Sequence, residues 1–332
     1  MEAATFVLDG VTYHFDGTPI PVNFHDAQQA YGFINPQLLR INTEIEMQVY
    51  PSFDYARLMP VNTDGDMWDI GSVFFSGDIA GTAQFLAGKG FDMPYADVST
   101  TQHLQANHFA GIGYEYSLME LQRVAKLGRS LTSDKAAAAR KVAEAFIYGI
   151  AIRGNTEKGL TGLVNDPVVP AANVPADGAG GLTTFASKTA DQINRDVNAA
   201  LNAPFNGTLE TARANTLAMP STRLQYLAAT RIGDGPDTLL KFVKENNAYT
   251  LETGQPLTII GTRELETAGA GGTARMIAYD NSRDILQFHL PGPHEFLPAF
   301  QKSEMTWSIG GILNVGGVEI KRPKGIAYRD GI

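Results

Sequence analysis

The chain carries 6 histidines and 35 carboxylate side chains but no cysteine, so any chemistry it performs must come from imidazole, carboxylate, hydroxyl or amine groups. The missing thiol removes disulfide frameworks, thiolate nucleophiles, iron–sulfur clusters and cysteine-based zinc sites together. His103 and His108 are five residues apart; on a strand they face opposite sides and on a helix they diverge, which disfavours a shared metal. His289 and His294 flank Pro291-Gly292-Pro293, a turn that can bring two imidazoles together as metal ligands. The competing and commoner reading of such histidines is that of ordinary polar loop residues. Asp64, Asp66 and Asp69 share a segment with partial calcium-loop character, but it has no closing glutamate, and turn-forming carboxylates are the better reading. Gly178–Gly181 and Gly269–Gly272 are glycine-rich, yet neither stands between a strand and a helix at the spacing a phosphate loop needs. Neither a nucleophile elbow (GxSxG) nor an SxxK pair occurs. No catalytic, cofactor-binding or metal-binding residue is therefore predicted. A hydrolase using convergent Asp and Glu side chains stands as the alternative, because spacing alone does not reveal which carboxylates meet in space.

The elements that would position these residues come next. The 332 residues carry 26 basic and 35 acidic side chains, a formal charge of −9, which disfavours a duplex-DNA reader. Charged residues are only 18% of the chain, so much of its surface must be neutral polar or apolar, and such a surface suits protein partners. Glu2 and Asp9 stand where a secretory leader would be basic and then apolar, and no apolar run is long enough to span a bilayer. A soluble protein with no membrane partner is expected.

Residues 1–45 look like an extended arm, with a turn at Asp16–Pro19 and a weak helix around Ala27, Ala30, Phe33 and Ile34. From Trp68 to Tyr116 apolar residues recur at period two about a turn at Gly88-Lys89-Gly90, which predicts a long β-hairpin. Val73, Phe75 and Ile79 share one parity and Trp68, Ile70 and Phe74 the other, so a bulge or two-sided burial is expected near Phe74. Each leg, if continuous, would reach about 60 Å. Such a hairpin must fold back in pieces or project onto another subunit, and projection is the preferred reading.

Ser117-Leu118-Met119-Glu120 is a capping box that starts a helix running to about Gly128. A second, long helix spans Thr132–Arg153 with Ala139, Val142, Ala143, Phe146, Ile147 and Ile150 on one stripe and Gly154 as its stop. Gly159–Asn165 is expected as a short strand, and Pro167–Gly181 as a crossing into a second domain. That domain should hold a helix over Thr189–Asn202 with Ile193, Val197 and Leu201 inward, a strand at Thr216–Met219, a helix capped by Ser221, a helix after Pro236, and strands at Leu257–Gly261 and Arg275–Tyr279. The tail alternates through Met305, Trp307 and Ile309, turns at Gly316-Gly317, and should return to the first domain as β-structure.

Arm, projecting hairpin, long helix, the Gly159-Leu160-Thr161-Gly162-Leu163-Val164-Asn165 turn, inserted domain and β return occur in an order that resembles the major capsid proteins of tailed bacteriophages, the Hong Kong 97 type fold. The segment Asn215–Pro220, followed by the Ser221 helix, looks like the strand and helix of that family's central domain. The resemblance implies an α+β fold with an N-terminal arm (1–45), an extended hairpin or E-loop and its base (46–116), a peripheral domain with a spine helix (117–179), an axial domain (180–280) and a return to the peripheral domain (281–332). It implies pentamers and hexamers closing an icosahedral shell around double-stranded DNA, in the virion, after assembly in the bacterial host cytoplasm. Scaffold, portal and decoration proteins are the further partners it suggests, with weak, non-specific contact to packaged DNA; a net acidic subunit fits that weakness. No cleavable scaffolding segment is expected ahead of the arm. Some relatives crosslink a hairpin lysine to a peripheral-domain asparagine; Lys89, the only lysine before Lys126, and Asn314 are the residues such a reaction would use here. An encapsulin-like nanocompartment shell is the nearest alternative, and a tail or portal protein lies further off.

Overall fold

The computed structural model describes residues 53–83, 95–125, 131–232 and 235–332, together with two short strands near the N-terminus. Those strands, β1 (Thr5–Leu8) and β2 (Val11–His14), pair antiparallel with Thr5 opposite His14, and belong to a unit of their own, Met1–Tyr50 with Lys126–Arg129. The weak helix expected after Asp26 and the turn at Gly88-Lys89-Gly90 lie outside the described residues.

In the second unit, the short helix α1 (Tyr55–Leu58) and strand β3 (Val61–Asn62) lead to the hairpin strands β4 (Gly71–Ala80) and β5 (Asp97–Ala106). The returning chain is then cut into β6 (His108–Gly111) and β7 (Tyr114–Ser117), each paired with a different strand of the tail. The part after β5 thus folds back in pieces, whereas β4 and β5 pair only with each other. The capping box forms as expected: Glu120 N–H donates to Ser117 Oγ and Ser117 N–H to Glu120 Oε2, both at 3.2 Å, opening α2 (Leu118–Ala125).

The spine helix α3 spans Leu131–Arg153. Four consecutive alanines, Ala136–Ala139, favour it, and it ends where Gly154 turns left-handed at φ 66°. A side chain at Gly154 would meet the Leu160 carbonyl oxygen at 2.2 Å, so glycine is required there. Ala139, Ala143, Ile147, Ile150 and Ala151 are buried, whereas Val142 and Phe146 are 53% and 43% exposed. The buried stripe is narrower than the sequence suggests. At about 100° per residue Phe146 is turned well away from Ile147, and among the described residues no element covers it fully.

Gly159–Asn165 is not a strand. Asn155 and Leu160 bridge each other around a turn of 3₁₀ helix, and the chain folds back so that Leu163 N–H donates to the Ala151 carbonyl (3.0 Å) and Val164 N–H to that of Ile152 (3.1 Å). Asn165 Nδ2 donates to the Arg153 carbonyl at 2.6 Å. The segment serves the carbonyls that a helix end leaves without intrahelical donors, a need that periodicity does not register.

After β8 (Ala171–Asn173), helix α4 (Ala190–Gly207) begins at a Thr189/Gln192 capping box and runs through Pro204, five residues past its expected end, with Ile193, Val197 and Leu201 buried. Strand β9 (Thr216–Met219) matches its expected bounds. Ser221 is the first residue of α5 (Ser221–Ala229), behind Pro220, and makes no capping bond. Two short helices, α6 (Leu239–Glu245) and α7 (Ala248–Thr253), precede β10 (Thr258–Gly261) and β11 (Arg275–Tyr279). The tail supplies β12 (Leu286–His289), β13 (Gly292–Phe296), β14 (Phe300–Ser303), β15 (Thr306–Ile309), β16 (Gly311–Val315), β17 (Gly317–Ile320) and β18 (Ile326–Asp330).

One five-stranded sheet, ordered β10-β9-β11-β18-β8, stands between two hydrophobic cores. Ala218, Ile277, Tyr279, Ile326 and Tyr328 face the core that holds the spine residues Ala143, Ile147 and Ile150. Leu217, Met219, Met276 and Ala278 face the other, with Ile193 and Val197 of α4 and Leu227 of α5. The last strand β18 pairs with β11, so the tail divides: β12 to β17 form smaller sheets with β3, β6 and β7, and β18 closes the central sheet.

The stripe yields a paired prediction. Ile147→Asp buries an unpaired carboxylate and should abolish folding, a loss of several kcal/mol, whereas Phe146→Asp should leave circular dichroism and thermal midpoint close to wild type. A well-folded Ile147→Asp protein would show that the stripe is assigned to the wrong side.

Candidate assembly interface

Strands β4 and β5 form ten pairs without a slip, from Gly71 opposite Ala106 to Ala80 opposite Asp97. Of the bulge or two-sided burial expected near Phe74, the bulge is absent and the flanking Val73 and Phe75 are exposed. Directly opposed residues share a face, so Val73 with Leu104, Phe75 with Gln102, and Ile79 with Val98 make one side, and Ser72 with Gln105, Phe74 with His103, and Ser76 with Thr101 make the other. The first side is apolar: its five large aliphatic and aromatic side chains are 45–77% exposed. On the second, the Phe74 and His103 rings stack 4.7 Å apart and Ser76 Oγ lies 2.9 Å from His103 Nε2. That stack explains the parity switch without a bulge. Ten residues at about 3.3 Å each make an arm of about 33 Å. Trp68 and Ile70 at its base are also exposed.

The root of this arm is polar. Asn314 Nδ2 donates to the carbonyls of Met67 (2.9 Å) and Asp69 (2.8 Å), Asn107 Nδ2 to that of Asp69 (3.3 Å), and Gln105 Nε2 to the Gly316 carbonyl. Beneath them Gln287 on β12 lies directly opposite Glu319 on β17 and donates to its Oε2 at 2.6 Å, while His289 Nε2 stands 2.5 Å from the same oxygen. His289 Nδ1 lies 3.5 Å from Ser72 Oγ at the start of the arm. Burial pushes the Glu319 carboxyl up, but the hydrogen bonds from His289 and Gln287 outweigh it and hold the group below the usual carboxylate range.

The residues singled out in the sequence fall as follows. His289 and His294 take separate partners; His294 Nε2 lies 3.1 Å from the Ile112 carbonyl and its ring packs edge-on to Phe296. His108 Nε2 lies 3.2 Å from the Lys158 carbonyl, away from the His103 stack. Among the described residues no group of three or more His, Asp or Glu is placed to hold a metal. The Asp64–Asp69 segment is a turn, with Asp66 N–H donating to Asp69 Oδ2 at 2.7 Å and Asp64 N–H to Asn62 Oδ1 at 2.8 Å. The glycine-rich pieces pack on their own chain: Gly178 N–H donates to the Leu182 carbonyl and Ala270 N–H to Asp330 Oδ2, both at 3.0 Å. Asn314 is fully buried with its amide committed to the hairpin root, so it is not presented to a neighbouring chain as a crosslinking partner; Lys89 lies outside the described residues. The polar root itself is not anticipated from the sequence. Its signal is the lone Gln287 and Glu319, each flanked by apolar residues in a buried strand.

A family model described as major capsid protein matches residues 81–332. No curated protein matches the chain. Among solved structures, the capsid of Myoviridae phage XM1 superposes with a TM-score of 0.73 at 17% identity, covering 90% of this chain and 98% of that one. The capsid of a native GTA particle gives 0.61 at 13% identity, with 91% and 98% covered, and Mycobacterium phage Bobi gives 0.58 at 11%, with 90% and 97% covered. At such identities the likeness speaks to the fold.

The root carries an acid sensitivity of definite sign. Because Glu319 titrates lower in the folded state than in the unfolded chain, its contribution to stability is full above the unfolded value, about pH 4–5, and is lost as pH falls through the folded one. Thermal midpoints measured between about pH 6 and about pH 3 should therefore fall less steeply for Glu319→Gln than for wild type. Identical slopes would place the acid-sensitive groups elsewhere.

Proposed function

The chain belongs to the major capsid protein family, and on that premise we propose that copies of it close an icosahedral shell of pentamers and hexamers around packaged double-stranded DNA. It is a structural protein of a capsid shell, and the shell is built from many copies of the one chain. Its work in this proposal is mechanical: it holds neighbours in place and carries out no reaction. The spine-helix core with the tail strands β12 to β17 serves as the peripheral domain, and the α4–α7 core as the axial domain gathered at the symmetry axes. Assembly takes place in the bacterial host cytoplasm, with scaffold, portal and decoration proteins as further partners and weak, non-specific contact to packaged DNA.

The observation that carries this reading is the two-faced hairpin. Its apolar side is left largely open by the described residues of its own chain, and burying the area still exposed on five such side chains contributes about 5–10 kcal/mol before the costs of association. In this proposal that gain is realised against another subunit. An arm with this area, repeated on every copy, gives each subunit a stake in its neighbour. The low charge fraction fits, since few charges need be desolvated as faces meet.

A double variant, Phe75→Asp with Ile79→Asp, isolates this role. It should yield a soluble subunit with an unchanged thermal midpoint that forms no closed particles in sedimentation and negative-stain microscopy. Normal particles from that variant would remove the hairpin from the assembly contact. Nuclease-protected DNA inside wild-type particles is expected; protein cargo without DNA would point instead to a nanocompartment shell.

A further inference from the structure

We propose that strand β4 is a docking edge that pairs antiparallel with β4 of a second copy, about a two-fold axis at Phe75, an inference that rests on the shell-forming reading above. The hydrogen-bond phase of the hairpin decides which of its main-chain groups are free. Asn107 N–H donates to the Ile70 carbonyl at 2.9 Å, and the same register, continued without a slip, makes Ser72 with Gln105, Phe74 with His103 and Ser76 with Thr101 hydrogen-bonded pairs. Gly71, Val73, Phe75, Gly77 and Ile79 alternate with them, so their N–H and C=O groups point away from β5. The sheet has no third strand, and this row of donors and acceptors meets no partner among the described residues.

The edge of β4 is unguarded. Over its 10 residues it has no proline, no lysine and no bulge, the features that usually shield a strand at a sheet edge from pairing. A two-stranded ribbon is marginal in water, and a further strand is what stabilises it. Gly71 and Gly77 belong to the outward row; glycine weakens a strand and marks a place where another backbone comes close. The opposite edge differs, since the outward row of β5 has the polar Thr100 and Gln102 at its centre.

The order of the outward residues identifies the occupant. Set against itself in the antiparallel sense about Phe75, the row places Val73 opposite Gly77 of the second copy, Ile79 opposite its Gly71, and Phe75 opposite Phe75. Each aliphatic residue thus meets a glycine and the aromatic meets its like, while Asp78 falls opposite Ser72, so no like charges are apposed. Because the same residues carry the apolar side of the hairpin, that side continues unbroken across the axis of the four-stranded sheet β5-β4-β4-β5. A contact of this kind uses one surface twice, and a shell built from many copies of one chain supplies the two-fold relation it needs.

The chain has no cysteine, so a single introduced cysteine reports the pairing without background. Phe75→Cys particles under mild oxidation should give a disulfide-linked dimer on a non-reducing denaturing gel, because directly opposed residues of a hydrogen-bonded pair lie about 5.5 Å apart, within disulfide reach. Gln102→Cys should give none, since three strand spacings of about 4.8 Å separate it from its counterpart. In wild-type particles the amides of the outward β4 row should exchange at least about a hundredfold more slowly than in unassembled subunits, and those of the outward β5 row should not. If Gln102→Cys forms the dimer instead, or if neither variant does and both rows exchange alike, the β4 pairing is overturned and the shell reading stands. If the wild-type chain forms no particles at all, the shell reading falls and this inference with it.

Discussion

Strand β11 has no solvent side, and the rest of the subunit is arranged around that fact. All five of its residues are buried, alternate ones facing opposite cores, and its neighbours β9 and β18 are nearly as deep. A sheet covered on both faces must be read by side-chain size and shape, because polarity no longer tells the faces apart. The charged ends of β11 and β18 are therefore joined to each other. Arg275 Nε and Nη2 donate to the two carboxylate oxygens of Asp330 at 2.6 and 2.8 Å, its remaining nitrogen reaches the Val164 carbonyl, and its guanidinium lies 4.4 Å over the Tyr328 ring. Burial alone would raise the Asp330 carboxyl, but the hydrogen bonds from Arg275 outweigh it and hold the group low. Removing one partner of such a pair costs about 3–5 kcal/mol, because the other is left charged and dry. Two buried tyrosines finish the joint: Tyr279 OH donates to the Leu58 carbonyl and Tyr328 OH to that of Leu163. The sheet thereby grips both the entry segment and the fold-back that caps the spine helix.

Against this dry interior the hairpin shows the opposite distribution. Inside, apolar residues hold the body and polar ones are paired; at the hairpin root polar groups make the attachment, and along the arm apolar groups face outward. In the proposed shell, the surface left apolar along the arm is what a neighbouring copy would bury. Because these root groups are buried, breaking one bond there would leave a polar group without a partner and cost more than the net worth of an exposed bond.

Local signals in the sequence were informative wherever one segment satisfies itself. The capping box at Ser117–Glu120, the alanine-rich spine and strands β9 and β11 depend on residues a few positions apart, and they occur where the pattern puts them. The order of parts was enough to suggest the capsid resemblance before any contact was known. What periodicity missed depends on distant partners. Gly159–Asn165 alternates like a strand yet is drawn back to serve spine carbonyls, and Ser221 follows a proline that takes over the helix entry. Val142 and Phe146 fit the spine's buried stripe by spacing alone, but none of the described residues fully covers them. The polar root joins Gln105 to Gly316, 211 positions away, and Gln287 to Glu319, 32 positions away, a juxtaposition no short-range pattern encodes. Residue type likewise favoured His289 and His294 as a pair, whereas the strands send each to its own partner.

The central claim is that the apolar side of the hairpin is an inter-subunit surface. Electron cryomicroscopy of particles formed by the full chain tests it most directly, because the path of residues 71–106 can be traced from the body that owns them. The account requires Val73, Phe75, Ile79, Val98 and Leu104 to lie against an adjacent subunit, shielded from solvent. Shells in which that side stays open to solvent, or folds onto its own subunit, would contradict it.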